Sequence, residues 1–193
     1  MTHWHAIVPF RAGAKTRLAE RLDAPSRAAL AEAMAAHVLE TLGRCPSIGS
    51  LTLLAPVRPA FASEGTGLIV DKGHGLNAEL AAALARARHV LIIHADLPLA
   101  APDDIAVLID AAAGAGAAIA PDHARTGTNA LAFIDANGLL PAFGPDSFAL
   151  HRALLPDAAV VERPGLALDI DTPEDLDRAI AAGLLLPAIA DQM

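Results

Sequence analysis

Short apolar runs alternate along this chain with stretches of helical periodicity, and that alternation restricts the fold more than any other feature. Ala6-Ile7-Val8-Pro9-Phe10, Leu51-Thr52-Leu53-Leu54, Gly67-Leu68-Ile69-Val70 and Val90-Leu91-Ile92-Ile93 have strand character. Between the first two, Leu30, Met34, Val38 and Leu42 recur at four-residue spacing. They fall on one face of a helix that begins at Pro25-Ser26 and stops at Gly43 and Pro46. A second helix is expected from Leu76 to about Arg88. Pro102-Asp103-Asp104 opens a third, with proline near its first position and acids where the helix dipole favours them. Strands that read as continuous apolar runs belong to parallel sheets covered on both faces. The pattern predicts an α/β chain with a mostly parallel sheet between layers of helix.

The rest of the chain continues the theme. Ala117 to Ala120 and Ala130 to Ile134 read as strands, and Ser147 to Leu155 as a short helix. Ala159-Val160-Val161 and Ala167-Leu168 are expected as short strands. Thr172-Pro173-Glu174-Asp175 starts a helix, with Thr172 as N-cap, Pro173 at N1 and Asp175 approximating a capping box. No repeat or linker divides the 193 residues, so a single domain over 1–193 is expected.

Composition narrows the partners. Although 54% of residues are apolar, no uncharged run reaches the roughly 18–20 residues that span a bilayer. The richest stretch, Ala179 to Ala190, is too short and contains Pro187. Met1-Thr2-His3-Trp4-His5 lacks the basic and apolar regions of a signal peptide, and the lone Cys45 fits a reducing compartment. A cytoplasmic location, away from membranes, is expected. The formal charge of −8 and an aromatic fraction of 3% argue against nucleic-acid binding. An anionic ligand must then be met by a local group of donors or by bound cations. A homodimer is the generic expectation for a small enzyme of this kind.

In such sheets ligands bind beyond the carboxyl ends of the strands. Arg11–Arg17 follows the first strand, Asp71–Asn77 the third and Asp96 the fourth, so these clusters should converge. Asp96, just off a buried strand, either holds a hard cation or orders its loop. In Asp169-Ile170-Asp171 both carboxylates point to one side of an extended chain, fit for metal binding or for the turn into the Thr172 helix. Arg11, Lys15 and Arg17 surround Gly13 and could neutralise a triphosphate or a leaving pyrophosphate. Gly13-Ala14-Lys15-Thr16 is not a P-loop, because Ala14 and Pro9 stand where glycines are required. Gly73-His74-Gly75-Leu76-Asn77-Ala78 fits a relaxed dinucleotide fingerprint but follows the wrong strand. Its glycines imply instead a close approach of backbone to a base or ribose. Gly127-Thr128-Asn129 and Phe143-Gly144-Pro145-Asp146-Ser147 form a third cluster. There Ser147 reads as an N-cap, either at an anion site or on an ordinary surface helix. Eight histidines include no HxxxH or HExxH pair, so zinc is not expected.

Taken in order, these segments resemble the 2-phospho-L-lactate guanylyltransferase family of coenzyme F420 biosynthesis. The similar stretches are Val8-Pro9-Phe10, Lys15-Thr16-Arg17-Leu18, Asp71 to Asn77, Ala95-Asp96-Leu97-Pro98-Leu99 and Gly127 to Leu131. Phe143 to His151 and Leu168 to Leu176 complete the set, which covers nearly the whole chain. The resemblance implies a three-layer nucleotidyltransferase fold of the glycosyltransferase-A type, using GTP and Mg²⁺. It implies a phosphorylated acid as acceptor: 2-phospholactate, phosphoenolpyruvate or 3-phosphoglycerate. Carried over by position, Asp96 and Asp169, with Asp171 beside them, would hold metal, and Lys15 and Arg17 would face the nucleotide phosphates. Pro9, Arg11, Asp71, Gly73, Gly75 and Asn77 would surround the nucleotide, and Thr128, Gly144 and Ser147 would hold the acceptor's phosphate. Some relatives have an acid two residues before the metal-binding Asp. Here that position is His94, which leaves the number of metals open. Other readings are a nucleotidyltransferase of the molybdenum-cofactor type, or a non-catalytic nucleotide-binding module.

Overall fold

A computed structural model describes residues 3–13 and 15–184. Ala14 and the second half of the apolar stretch Ala179 to Ala190, Pro187 included, carry expectations that lie outside the described residues. The strands are β1 (Trp4–Pro9), β2 (Ile48–Ala55), β3 (Gly67–Val70), β4 (Arg88–Ile93), β5 (Ala117–Pro121), β6 (Thr128–Asp135) and β7 (Ala159–Val160). The helices are α1 (Ala24–Gly43), α2 (Leu76–Leu84), α3 (Pro102–Ala115), α4 (Ser147–Leu154), α5 (Pro164–Ala167) and α6 (Pro173–Ala181). A short 3-10 helix, Thr16–Glu20, lies between β1 and α1.

The strands form one sheet in the order β3-β2-β1-β4-β6-β5-β7. β1 lies parallel to both β2 and β4, while β6 is antiparallel to both of its neighbours. The order reverses at β1, and the crevice beside such a switch point is where open α/β sheets take ligands. Because β6 runs backwards, its amino end brings Thr128 to the same edge as the carboxyl ends of the other strands.

Side-chain alternation on β1 divides the core. Ala6 and Val8 pack with Ala35, Val38 and Leu42 of α1 and Ile105, Leu108 and Ala112 of α3. Ile7 points the other way, into a cluster with Leu80 and Leu84 of α2 and Phe148 of α4. This gives the three layers expected. A third cluster joins Leu18, Leu30 and Met34 to Ile170, before the last helix, and to Leu176 and Ala179 on it. Leu30, Met34, Val38 and Leu42 are all fully buried, and each such side chain contributes on the order of 2 kcal/mol. Asp23 caps α1 by accepting the Ser26 N–H at 2.8 Å.

Three local expectations change. The second helix ends at Leu84 rather than near Arg88: Arg86 and His89 take positive φ (70° and 51°), which a right-handed helix excludes. Arg88 already belongs to β4. Ala167-Leu168 is not a strand. Pro164 starts the short helix α5, whose Leu166 and Ala167 N–H groups both donate to Arg163 O. Ser147 is not an N-cap, because it is the first helical residue and Asp146 holds the cap position at φ 56°. At α6, by contrast, the box is complete. Thr172 N–H donates to Asp175 at 2.9 Å, and Asp175 N–H returns to Thr172 Oγ1 at 3.3 Å. Among the described residues no helix is long and apolar enough to cross a membrane.

Candidate active site

Three segments distant in sequence meet at the sheet's carboxyl edge. Lys15 comes from the loop after β1, Asp96 from the end of β4, and Asp169 and Asp171 from the link between α5 and α6. One carboxylate oxygen from each of the three acids lies within 4.8 Å of the others. The period-two spacing works as expected: Ile170, fully buried, anchors in the core while its two neighbours turn toward Asp96, outside the lining of the cleft described below. The Ile170 N–H also donates to Asp96 O at 3.3 Å, tying the two acidic segments together. Asp175, besides capping α6, accepts the Asp171 N–H at 3.3 Å.

The Lys15 ammonium sits among these acids, donating to Asp96 and, at 2.7 Å, to Asp171. Burial opposes the Lys15 charge, but Asp96 and Asp171 outweigh it and its pKa is raised. Burial likewise pushes the Asp96 carboxyl up, yet Lys15 and then His94 overcome it, and the net shift is downward. Asp169 is raised, by burial first and by the Asp96 charge second. Among the described residues Asp96 Oδ1 is buried without a hydrogen-bond partner, and so is His94 Nε2. An orphaned carboxylate oxygen within an all-oxygen acidic set suits a hard divalent cation.

A cleft of about 290 Å³ opens beside this group, lined by Pro9, Arg11, Lys15, Asp71, His94 and Asp96 with the apolar Met34, Leu54 and Leu76. At its mouth Arg11 pairs with Asp71 at 2.6 Å, and this hydrogen bond holds the Asp71 carboxyl below the usual carboxylate range. Asp71 also accepts the Gly73 N–H at 2.8 Å. Gly73 and Gly75 take φ of 85° and 95°, so this turn requires glycine. The buried Glu79 secures it from below, accepting the N–H groups of Lys72 (3.0 Å) and His74 (3.2 Å). Arg17 is exposed on the 3-10 helix. Asn77 clasps Phe143, donating to its carbonyl at 2.9 Å and accepting its N–H at 2.8 Å. Arg17, Gly73, Gly75 and Asn77 therefore stand around the cleft rather than in its lining.

The third cluster hangs on the start of β6. Thr128 N–H donates to Ser147 Oγ at 2.9 Å, and Ser147 N–H to Gly144 O at 3.2 Å. His151, fully buried, bridges Thr128 Oγ1 and the Ala142 N–H, each at 3.0 Å. Burial, aided by His94, lowers its pKa to about 4. The next residue, Asn129, donates to Leu166 O at 2.9 Å and to Asp169 at 3.2 Å. Strict alternation would turn Thr128 toward the side of Ala130 and Asn129 toward that of Leu131, which belong to opposite cores. The contacts are the reverse. The β5–β6 register shifts opposite Thr128, between Ala120 and Pro121, and a bulge of this kind re-aims side chains beside a site.

Reasoning from sequence overlooked Asn129, Glu79 and the bridging of His151. Asn129 lay inside a noted cluster, but only the bulge reveals which way it faces. Glu79 carries no local signal beyond being a polar residue on an apolar helical face, and His151 is marked in the sequence only by adjoining the Phe143–Ser147 cluster.

Residues 4–184 match the family described as guanylyl transferase CofC like. The chain belongs to that family. A phosphoenolpyruvate guanylyltransferase of Nocardia farcinica is 40% identical over 93% of this chain and 86% of its own length. One of Rubrobacter xylanophilus is 39% identical over 92% and 94%. Among solved structures, a nucleotidyl transferase from Methanothermobacter superposes with a TM-score of 0.66 at 17% identity, covering 94% of this chain and 98% of that one. A Mycobacterium tuberculosis H37Rv protein in complex with manganese gives 0.55 at 21% identity, covering 94% and 100%. These likenesses establish the nucleotidyltransferase fold. Membership in the CofC-like family makes the chain a transferase rather than a non-catalytic nucleotide-binding module.

Proposed function

We propose that this protein transfers GMP from GTP to the phosphate of phosphoenolpyruvate, releasing pyrophosphate, as a step toward coenzyme F420. The observation that carries this reading is the convergence of Asp96, Asp169 and Asp171 around Lys15 at the switch point, beside the cleft. The names of the relatives from Nocardia farcinica and Rubrobacter xylanophilus support phosphoenolpyruvate over the other phosphorylated acids. Asp96, Asp169 and Asp171 would hold a divalent cation, Mg²⁺ in this reading, which supplies charge neutralisation at the α-phosphate.

Both reactants are polyanions, so bringing them together is a main part of the barrier. Lys15 and Arg11, both in the cleft lining, lower that repulsion, and Arg17 adds charge at its edge. Thr128, Gly144 and Ser147 hold the acceptor's phosphate. An oxygen of that phosphate attacks the α-phosphorus of GTP in line. The new P–O bond forms as the bond to the bridging oxygen of the β-phosphate breaks, and pyrophosphate leaves. A phosphate is already ionised near neutral pH, so no general base is needed. Positioning and electrostatics carry the rate. The turn at Gly73 and Gly75, held by Glu79 and clasped through Asn77, shapes the nucleoside side of the cleft.

The test is pyrophosphate release from each of four NTPs against phosphoenolpyruvate, 2-phospholactate and 3-phosphoglycerate with Mg²⁺, the products read by mass spectrometry. GTP with phosphoenolpyruvate should give the highest kcat/KM. Asp96→Asn and Asp169→Asn should each lower turnover at least a hundredfold, about 3 kcal/mol of transition-state stabilisation. Release with no acceptor at all, or unchanged turnover in both variants, overturns the proposal.

A further inference from the structure

We infer that His151 is a positioning residue that fixes Thr128 and Ser147 as a pair of hydroxyl donors aimed at the acceptor's phosphate. The inference rests on the acceptor site proposed above and adds the group that sets its polarity.

Three hydrogen bonds fix the polarity of this group. A backbone N–H only donates, so His151 Nε2, 3.0 Å from the Ala142 nitrogen, must be an acceptor and carry no proton. The neutral ring then carries its proton on Nδ1, which lies 3.0 Å from Thr128 Oγ1. Thr128 Oγ1 is thereby the acceptor in that bond, and its own hydroxyl proton must point elsewhere. Ser147 Oγ is in the same position, since it accepts the Thr128 N–H at 2.9 Å.

Both hydroxyls are buried, and among the described residues neither proton is given a protein acceptor. A buried donor without an acceptor is costly. Two side by side, next to Gly144 in a backbone conformation (φ 130°) open to glycine, match an oxyanion with several lone pairs. A ring protonated on both nitrogens would set an N–H against the Ala142 N–H, and burial disfavours that state. The ring plane is itself fixed. Phe143 packs edge-on against His151 at 4.9 Å between centroids, and Asn77 holds the Phe143 backbone from both sides. Orientation therefore passes from Asn77 through Phe143 and His151 to Thr128.

Two measurements test this. In the wild-type protein at neutral pH, ¹⁵N-resolved NMR of the histidine rings should show His151 as the neutral tautomer protonated on Nδ1. A ring protonated on Nε2, or on both nitrogens, overturns the inference. In steady-state assays His151→Phe, which keeps the shape without either polar atom, should raise KM for phosphoenolpyruvate at least tenfold. KM for GTP should stay within twofold. His151→Asn, which keeps a donor near the Nδ1 position, should recover more of the loss than His151→Gln. Equal rises in both KM values, or no advantage of Asn over Gln, would reduce His151 to a packing residue. The NMR result is independent of turnover and of whether a variant folds. The expected tautomer in a wild-type protein inactive on every phosphorylated acid would overturn the acceptor reading, and the donor-pair assignment with it. The wrong tautomer with normal turnover would overturn His151 alone.

Discussion

Replacing Lys15 by methionine keeps most of the buried stem and removes the ammonium that bonds both Asp96 and Asp171. In the parent chain the Lys15 side chain is 5% exposed, against 21% for Asp96 and 50% for Asp171. Removing one partner of a buried ion pair costs about 3–5 kcal/mol, because the other charge is left uncompensated. The half-exposed Asp171 is screened by water and contributes little to that loss. Asp169, whose pKa is already raised by burial and by Asp96, adds to the repulsion that the lost ammonium leaves. A loss of about 3 kcal/mol follows. For a chain of this length it corresponds to a fall of about 6–12 °C in Tm.

A divalent cation at Asp96, Asp169 and Asp171, as proposed, would provide the same compensation. It would stabilise the folded state by about 2.7 kcal/mol at roughly a hundred times its Kd. The assay is thermal unfolding of Lys15→Met and wild type, each in EDTA and in saturating Mg²⁺ or Mn²⁺. The variant should melt well below wild type in EDTA and close much of that gap with metal. Equal deficits in both conditions would mean that only the packing of the stem was lost. No deficit in EDTA would refute the claim that the ammonium holds the acids together.

Gly165→Ala should destabilise the fold by about 1–3 kcal/mol in urea unfolding and also weaken metal binding. A Cβ there would stand 2.1 Å from Asp104 Oδ2 and 2.6 Å from Leu99 O. Asp104 cannot easily give way, since it holds Arg163 at 2.7 Å and the Ala101 N–H at 3.1 Å. α5 must then shift, and Asp169 lies just beyond it; an unchanged midpoint would show that the contact yields freely. For His151, the folded pKa of about 4 lies below an unfolded value of about 6.5. Between those values the unfolded chain binds the extra proton, so stability falls as pH drops from about 6.5 to 4, by about 3 kcal/mol. Urea midpoints across that range should fall less steeply for His151→Phe than for wild type, and parallel slopes would contradict the assigned shift. Thr172→Ala should cost about 1 kcal/mol through the lost cap of α6. It should leave metal affinity within twofold, read by calorimetric titration with Mn²⁺.

The parts of this protein legible in its sequence are those fixed by local periodicity. The four-residue spacing of Leu30, Met34, Val38 and Leu42 locates the buried face of α1, because a helix repeats its side-chain directions within its own length. The two-residue spacing of Asp169 and Asp171 gives their shared direction for the same reason. Strand ends followed by polar residues place Arg11, Asp71 and Asp96 at one edge. What escaped depends on contacts between elements. Helix α2 stops early because Arg86 and His89 adopt left-handed backbone, a choice made by the tight return into β4 rather than by helix propensity. Ala167-Leu168 has strand composition, but Gly165 is pressed against Asp104 and Leu99, and that packing leaves a helical turn.

The reversed strand β6 explains why the two halves of the site lie together. A rule that looks only at carboxyl ends passes over Thr128 and Asn129, which begin a strand. Since β6 is antiparallel to β4, that beginning faces the same cleft edge as Asp96, and His94 N–H donates to Asn129 O at 2.9 Å. The register shift beside Thr128 then sends two successive side chains to opposite tasks. Thr128 joins His151 and Ser147, while Asn129 holds Asp169. The proposed acceptor group and the proposed metal group thus share one bulged segment two residues long. In the proposed reaction, a rigid link of that length would fix the distance between the attacking phosphate and the α-phosphate more tightly than separate loops would. Flattening the bulge by one residue would exchange the two faces and dismantle both halves of the site together.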